Sequence, residues 1–193
     1  AGKFAGLHDV LSELGLHRCV VVCGRHFAPK AEELVSSMDE LCTVFGGVEQ
    51  NPQLSGVEET VKLAREHGAD AIIGIGGGSA IDTAKFAAAI EYYRGARPFP
   101  AKRLPVVAVP TTAGTGSEVT QVSVISHSTE KKTINNPAFM PLAAIVDPEL
   151  CMSVPPRTTM NTGLDALAHA LEGFWSVQHQ PICELMTAEA VCL

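Results

Sequence analysis

Apolar and polar positions follow two regular patterns along the chain up to residue 150. Short runs rich in β-branched residues are apolar at successive positions, which predicts strands buried on both faces at residues 18–23, 42–45, 71–75, 105–109 and 143–147. Between these runs, apolar positions recur every three or four residues, which predicts helices over residues 29–40, 55–67 and 79–90. Strands that alternate with helices are typical of an α/β fold whose parallel sheet is covered on both sides.

The helix boundaries and one further pair of strands can also be predicted. Ser55, with Glu58 three residues later, predicts an N-cap for a helix that Gly68 ends. Within residues 119–134, the alternation of apolar and polar residues in the stretch 119–126 predicts a hairpin or edge strands.

The pattern changes at the proline-containing residues 154–156. No strand pattern follows them, and residues 161–175 and 181–193 have helical periodicity. We therefore expect an α/β domain over residues 1–153 and the beginning of an all-α domain over residues 154–193. The chain has no initiator Met, and its last helix runs to the end of the sequence without a stop signal, so we expect it to be part of a longer protein.

Composition narrows the classes of function. The 193 residues are 46% hydrophobic and 18% charged, which is ordinary for a globular protein and too apolar for a disordered one. A formal net charge of −7 repels phosphate backbones and anionic lipids, so we expect neither nucleic acid nor membrane as a partner. No segment is apolar over the roughly 18 residues that a membrane helix needs. The six cysteines include no C-x-x-C pair and mostly lie in apolar runs, which favours buried free thiols and a cytoplasmic location.

A glycine-rich turn lies between the strand predicted at residues 71–75 and the helix that follows it. Gly77, Gly78 and Ser79 form this turn. Glycine lets the backbone approach an anion closely, and the N–H groups at a helix start can bind that anion. The alternative is a tight turn in which Ser79 caps the helix and Asp82 caps in return. The standard fingerprint G-x-G-x-x-G is not met, because Ser79 occupies its last position.

A second loop, rich in threonine and glycine, directly follows the strand predicted at residues 105–109. It begins with Thr111 and Thr112 and continues through Thr115. Ligands of an open parallel sheet bind beyond the carboxyl ends of its strands. The two loops therefore aim their donors at one crevice, where hydroxyl groups suit ribose and diphosphate. The alternative is a flexible surface loop.

Asp165 and His169 are four residues apart, so we expect them on one helix face, a turn apart. Their neighbours are apolar, so we expect this helix to be buried, and a buried carboxylate needs a partner or a cation. Taken alone, the pair fits an intrahelical hydrogen bond or two ligands of a divalent metal. An imidazole with a carboxylate suits Fe²⁺ or Zn²⁺.

Four motifs occur in order along the chain, and together they resemble the iron-containing (group III) alcohol dehydrogenase family. They are Gly-Gly-Gly-Ser-x-x-Asp at 76–82, Pro-Thr-Thr-Ala-Gly-Thr-Gly-Ser-Glu at 110–118, Asp-Pro-Glu-Leu at 147–150 and Gly-Leu-Asp-Ala-Leu-Ala-His-Ala-Leu-Glu at 163–172. The resemblance implies a Rossmann-like N-terminal domain that binds NAD or NADP and a C-terminal helical domain that holds a divalent metal. It also implies hydride transfer between nicotinamide and a small alcohol or aldehyde, in a homodimer or larger assembly.

The resemblance assigns roles to individual residues. The implied cofactor-binding positions are Gly77, Gly78, Ser79, Asp82, Thr111, Thr112, Thr115 and Thr120, together with Asn51 and Lys131. Asp165 and His169 would be two ligands of Fe²⁺, or of Zn²⁺ as in some relatives. The family completes its metal site with histidines further along than this chain extends, so we expect no complete catalytic set here. His179 is expected to be a surface residue and not a substitute ligand.

One position departs from the family pattern. Members that prefer NAD usually carry an Asp after the first strand, where this chain has Gly24. The missing carboxylate leaves room for a 2′-phosphate and removes a repulsion, while Arg25 either pairs with that phosphate or points into solvent. We therefore expect NADP to be accepted at least as well as NAD.

Two other functions stay open from the sequence. A lyase of the dehydroquinate-synthase type has a related two-domain plan and also uses NAD and metal. The contiguous threonine loop and the Asp165–His169 pair resemble the dehydrogenases more closely. The chain alone can also be a cofactor-binding fragment without catalysis. The sequence does not identify the alcohol or aldehyde.

Overall fold

The structure is a computed structural model that describes residues 1–38, 41–93, 103–127, 130–177 and 180–193. Its parallel strands are β1 (Arg18–Gly24), β2 (Leu41–Val48), β3 (Ala71–Gly76), β4 (Val106–Pro110) and β7 (Ala143–Ala144). They form one five-stranded sheet in the order β2-β1-β3-β4-β7, and every pairing within it is parallel. This arrangement confirms the predicted α/β fold with a Rossmann-like sheet.

Helices cover both faces of the sheet. The covering helices are α1 (Leu7–Glu13), α2 (Ala28–Ser36), α3 (Leu54–His67) and α4 (Gly78–Tyr93). After the last strand, α5 (Pro156–Trp175) and α6 (Pro181–Cys192) pack on each other. Val20 and Val22 of β1 pack in the core with α3 and α4. Cys19, Val21 and Cys23 point the other way, into the core with α1 and α2. The continuous apolar run in β1 therefore reflects a strand buried between two helical layers.

A separate two-stranded sheet stands beside α4. Its strands, β5 (Val122–His127) and β6 (Glu130–Asn135), pair antiparallel, as predicted for a hairpin. The Ser126 N–H donates to the Pro52 carbonyl at 2.8 Å, which joins this sheet to the segment before α3. In β5 the polar Ser123 is buried beside Ile125, whereas the apolar Val122 and Val124 are only partly buried.

The last predicted strand differs from the prediction. A strand buried on both faces was expected over residues 143–147, but β7 contains only Ala143 and Ala144. Ala144 and Val146 are exposed, whereas Ile145 and Asp147 are buried. Strand β7 pairs only with β4, at the edge of the sheet, and the alternating exposure shows that only the face with Ile145 and Asp147 is covered.

Two helix starts also differ from the prediction. Ser55 is not the N-cap of α3, because Gln53 takes that place with an extended backbone and forms an isolated bridge with Ser126. The end of α3 is as predicted, with Gly68 in the left-handed region at φ 64°. Helix α5 begins at Pro156, before the predicted residue 161, because a proline is well suited to the first helical turn. Residues 39–40, the end of the helix predicted over residues 29–40, lie outside the described residues.

The cysteines do not share one environment. Cys19 and Cys23 are buried as predicted, and burial raises the pKa of the Cys23 thiol to about 11. Cys183 and Cys192 are exposed on α6, so the prediction of buried thiols is wrong for these two. Within the described parts of the chain, no helix combines the length and the apolar character that a bilayer crossing requires. The division into domains at residues 153 and 154 stays a prediction.

Candidate functional site

The order of strands identifies the carboxyl end of the sheet as a place for a ligand. The chain runs from β1 outward to β2 and then crosses back to β3 on the other side of β1. Such a reversal marks the point where α/β sheets bind ligands, just beyond the carboxyl ends of the strands. Gly76 at the end of β3 pairs with Pro110 at the end of β4, and the Thr111 N–H donates to the Gly76 carbonyl at 2.9 Å. The glycine-rich and threonine-rich loops therefore begin side by side.

The two loops touch at positions that only glycine accommodates easily. A Cβ atom on Gly77 would lie 3.1 Å from Oγ1 of Thr112, and a Cβ atom on Gly78 would lie 3.0 Å from Cγ2 of Thr115. Both distances are shorter than an ordinary van der Waals contact. A larger residue on the glycine-rich loop would push the threonine-rich loop away, so the glycines bring the two loops together.

The predicted capping box at the start of α4 is wrong. The Gly77 carbonyl accepts the hydrogen bond from the Ile81 N–H, and Ser79 lies inside the first turn. The Asp82 carboxylate turns away from the helix start and accepts hydrogen bonds from the Ser117 hydroxyl at 2.5 Å and the Val124 N–H at 2.9 Å. These donors come from the segment beyond β4, and they satisfy a carboxylate that is mostly buried.

Lys85 forms the centre of this buried network, and sequence reasoning missed it. Its side chain is completely buried, and its ammonium donates to the Ser117 hydroxyl at 2.9 Å, the Thr120 hydroxyl at 3.2 Å and the Val122 carbonyl at 2.8 Å. The Asp82 carboxylate lies 3.8 Å from the ammonium. A lysine three residues after an aspartate, in an otherwise apolar helix, was the available signal.

Burial shifts the acidity of both charged groups. Loss of solvent lowers the pKa of Lys85 to about 8, although the charges of Asp82 and Glu118 act in the opposite direction. Loss of solvent also raises the pKa of Asp82, while hydrogen bonds from Ser117 and Val124 and the charge of Lys85 act to lower it. The pair is therefore held by mutual attraction inside an environment that disfavours either charge alone.

A cleft with a volume of about 870 Å³ opens above this network. The threonine-rich loop, the start of α4 and the β5–β6 sheet line it, and α5 and α6 line it from across. It brings together most of the predicted site residues: Asn51, Gly78, Ser79, Asp82, Thr115, Thr120, Lys131, Asp165 and His169. Residues predicted separately for the cofactor and the metal thus share one space.

The other predicted positions lie beside this cleft and do not line it. Gly77 and Thr112 contact each other in the layer behind Gly78, and Thr111 is hydrogen-bonded to Gly76. Gly24 ends β1 next to a second hollow of about 250 Å³, which Arg25, Glu49 and Pro52 line. Pro52 also lines the larger cleft, so the two hollows are neighbours.

Asp165 and His169 lie one turn apart on α5, as predicted, with 3.7 Å between Oδ1 and Nε2. The expectation that this helix is buried is wrong, because Ala170 is the buried residue of α5 and the His169 side chain is 60% exposed. Helix α5 packs mainly on α6, and the threonine-rich loop lies against it where Gly114 meets Thr162. The described residues contain no cluster of three or more potential metal ligands, so this pair stands alone there. His179 lies outside the described residues.

The parallel sheet, the switch of strand order between β1 and β3, and the glycine turn at the carboxyl edge define an α/β protein of the Rossmann-like class. A family model described as iron-containing alcohol dehydrogenase matches residues 1–148. The chain therefore belongs to the iron-containing alcohol dehydrogenase family, as its motifs suggested.

Curated relatives carry names of alcohol dehydrogenases. Long-chain-alcohol dehydrogenase 1 of Geobacillus thermodenitrificans is 41% identical over 160 residues, which cover 78% of this chain and 40% of the relative. The 1-propanol dehydrogenase PduQ of Citrobacter freundii is 36% identical over 191 residues, which cover 96% of this chain and 50% of the relative. The chain thus spans about half the length of the curated relatives it matches.

Solved structures of the family superpose on nearly the whole chain. The sulfoacetaldehyde reductase of Bifidobacterium kashiwanohense, solved in complex with NAD⁺, has a TM-score of 0.90 and 39% identity and covers 98% of this chain and 54% of its own. The maleylacetate reductase of Rhizobium sp. strain MTP-10005 has a TM-score of 0.85 and 29% identity, with 98% and 51% coverage.

Proposed function

We propose that this chain is the nucleotide-binding part of an alcohol dehydrogenase or aldehyde reductase that depends on a nicotinamide cofactor and a divalent metal. The observation that carries the proposal is the shared cleft, which the start of α4, the threonine-rich loop and the Asp165–His169 pair all line. The NAD⁺ complex of the sulfoacetaldehyde reductase, a relative of nearly identical fold, supports the choice of cofactor.

In this proposal, each loop binds a different part of the cofactor. Backbone N–H groups at Gly78 and Ser79 start a 16-residue helix, where the helix dipole and unpaired donors favour a diphosphate. Thr115, Thr120 and Lys131 line the same cleft, where hydroxyl and ammonium groups suit ribose and amide oxygens. The cofactor supplies the hydride chemistry, while the protein binds and orients it.

Asp165 and His169 fit a divalent metal as a partial ligand set. A carboxylate oxygen and an imidazole nitrogen suit Fe²⁺ or Zn²⁺, and the two groups are close enough to share one ion after small side-chain rotations. A bound ion would supply Lewis acidity beside the cofactor. The name of the family favours Fe²⁺. Since two ligands bind an ion weakly, we expect the full metal affinity to need further donors.

The dehydrogenase proposal has two competitors. The relatives that match carry names of alcohol dehydrogenases and reductases, which favours this class over a lyase of the dehydroquinate-synthase type. A cofactor-binding role without catalysis is favoured by one observation, the isolated Asp165–His169 pair within the described residues. Homodimer formation, and a small alcohol or aldehyde as the substrate, stay part of the proposal.

We further propose that NADP is accepted at least as well as NAD. Gly24 leaves no acid at the end of β1, and the exposed Arg25 lines the hollow next to it. The Arg25 guanidinium lies 3.9 Å from the Glu49 carboxylate, a loose and solvent-exposed pair that a phosphate can replace.

The experiment is a titration of the 193-residue chain with NAD⁺ and with NADH. Fluorescence and calorimetry measure the binding. We expect saturable binding of one cofactor per chain, and weaker binding by Gly78→Val, since the added side chain would collide with Thr115. Gly163→Ala is the matched control, because a Cβ atom there meets no other atom within 4 Å. A folded chain that binds neither form of the cofactor would overturn the proposal.

Measurements of turnover and metal content distinguish an active dehydrogenase from a chain that only binds the cofactor. Reduction of a short aldehyde with NADH or NADPH, dependent on added Fe²⁺ or Zn²⁺ and lost in His169→Ala, would support an enzyme that is active at this length. Cofactor binding without turnover would support the binding-only alternative.

A further inference from the structure

Lys85 is completely buried beneath the cleft, yet it does not line it. Its three N–H bonds all have acceptors, and each acceptor belongs to the segment that follows β4: the Ser117 hydroxyl, the Thr120 hydroxyl and the Val122 carbonyl. All three of these residues line the cleft. A single ammonium therefore ties the wall of the cleft to α4.

The network also fixes which way the hydroxyl groups point. The Ser117 hydroxyl accepts from Lys85 and donates to Asp82, so its one proton is committed to the carboxylate. The other oxygen of Asp82 accepts from the Val124 N–H on β5. The Thr120 hydroxyl accepts from Lys85 and donates to the Ser117 carbonyl at 3.5 Å, so its proton is also held within the network. This polarity depends on a positively charged donor at the centre, because hydrogen bonds to a charged group are stronger than neutral ones.

We infer that Lys85 is a positioning residue for the cofactor: its charged ammonium holds Ser117, Thr120 and the start of β5 in the arrangement that faces the bound nicotinamide nucleotide. This inference rests on the proposed function, since it concerns the same cleft. Lys85 acts through the residues it holds and does not contact the ligand.

The inference connects cofactor affinity to the protonation of Lys85. The charged groups that act on Lys85 within the described residues are the carboxylates of Asp82, on its own helix, and Glu118, on the 3₁₀ turn Ser117–Val119. Strand β5 also packs on α4 and meets the ammonium through the Val122 carbonyl. Since burial lowers the pKa of Lys85 to about 8, the ammonium loses its proton within an accessible pH range.

The test measures the affinity of the 193-residue chain for NAD⁺ between about pH 6.5 and about pH 9.5. We expect the affinity to fall about tenfold as pH rises through 8, the effect of weakening a hydrogen bond to a charged group. In Glu118→Gln the midpoint of this fall should move to lower pH, because the lost negative charge no longer raises the pKa of Lys85. A merely structural lysine would not produce this shift.

Lys85→Met gives the second arm, with a side chain of similar length and no charge. We expect weaker NAD⁺ binding that no longer changes with pH over this range, and thermal unfolding measures whether the variant is folded. The wild-type and Glu118→Gln profiles decide the inference even if Lys85→Met does not fold. Wild-type binding without pH dependence, or an unmoved midpoint in Glu118→Gln, would overturn the role of Lys85 alone. A folded wild-type chain that binds no NAD⁺ would overturn the proposed function, and this inference with it.

Discussion

Gly114 lies where the threonine-rich loop passes over α5. A Cβ atom at this position would lie 2.5 Å from the carbonyl oxygen of Thr162 and 2.8 Å from the Thr162 Cβ. Backbone cannot give way as a flexible side chain can, so glycine is required for the loop to lie against the helix. This contact places Thr115 and Asp165 around one cleft.

We expect Gly114→Ala to lower the free energy of unfolding by about 1–3 kcal/mol, the usual cost of overpacking, and to weaken NAD⁺ binding. Urea unfolding and a cofactor titration measure the two effects. Gly163→Ala, in the interior of α5, should leave stability unchanged or raise it by up to about 1 kcal/mol, because alanine is the better helix former and meets no neighbour. Equal stability of Gly114→Ala and wild type would contradict the contact.

We also expect single residues to determine the choice between NAD and NADP. Arg25→Ala should weaken NADP⁺ binding about tenfold or more and change NAD⁺ binding little, since only NADP⁺ carries the 2′-phosphate that we propose the guanidinium binds. Lys62→Ala is the control, because it removes the same charge from an exposed side chain that lines neither hollow. Equal losses for both cofactors would show that Arg25 does not read the phosphate.

Gly24→Asp tests the same cofactor preference by adding an acid at the end of β1. A Cβ atom at Gly24 would lie 3.6 Å from the Val48 carbonyl oxygen, an ordinary contact, so the aspartate should fit. We expect it to favour NAD⁺ over NADP⁺ through repulsion of the 2′-phosphate, as measured by competition between the two cofactors. An unchanged preference would remove Gly24 from the site.

Some of these functional residues can be predicted from the local sequence, and others cannot. The glycines of 76–78 and the threonines of 111–115 follow directly from strand ends, so a pattern along the chain reveals them. Lys85 could not be placed in this way, because its partners Ser117 and Thr120 lie 32 and 35 positions away and meet it only through tertiary packing. The capping box at Ser79 and Asp82 failed for the same reason, since distant donors compete for the carboxylate.

At the scale of elements, Asp147 ties the N-terminal segment to the end of the sheet. Its carboxylate accepts hydrogen bonds from the N–H groups of Phe4 at 2.9 Å, Gly2 at 3.1 Å and Glu149 at 3.1 Å. These donors, with Phe4 foremost, lower the pKa of Asp147 below its ordinary value. The stabilisation is present above the pKa of the unfolded chain and is lost as pH falls through the lower pKa of the folded state.

We therefore expect Asp147→Ala to release residues 1–6 at neutral pH, measured as faster hydrogen exchange of the Phe4 amide. In the wild-type chain the same amide should lose protection only in acid, below the ordinary pKa of an aspartate. Asp9→Ala, on the exposed side of α1, should leave this exchange unchanged. Protection of Phe4 that survives the loss of Asp147 would contradict the anchor.

The central elements are predictable and the peripheral ones less so. Strands β1, β3 and β4 are buried on both faces, so their apolar runs are distinctive. Strand β7 and helix α5 are largely exposed, and pattern alone assigned them too much burial. A periodic apolar face indicates that a surface is suited to packing and does not indicate what packs on it.

At the scale of the whole molecule, α6 carries large apolar side chains that are exposed, among them Ile182 and Leu185, the latter 74% exposed. We expect Leu185→Ala to change the free energy of unfolding by less than about 0.5 kcal/mol. The same substitution at Leu11, which is fully buried, should cost about 2–5 kcal/mol. Chemical denaturation compares the two variants. A large loss for Leu185→Ala would mean that α6 is covered in solution.

The chain spans about half the length of the relatives it matches, and one cleft holds the residues that we propose for the nucleotide together with the Asp165–His169 pair. We propose that the loops after β3 and β4 together bind the cofactor. Hydrogen exchange of the 193-residue chain, with and without saturating NAD⁺, tests that claim most directly. We expect slower exchange at residues 76–79 and 111–120 and unchanged exchange in α1, which covers the opposite face of the sheet from α4. A folded chain in which NAD⁺ leaves both loops unprotected would contradict it.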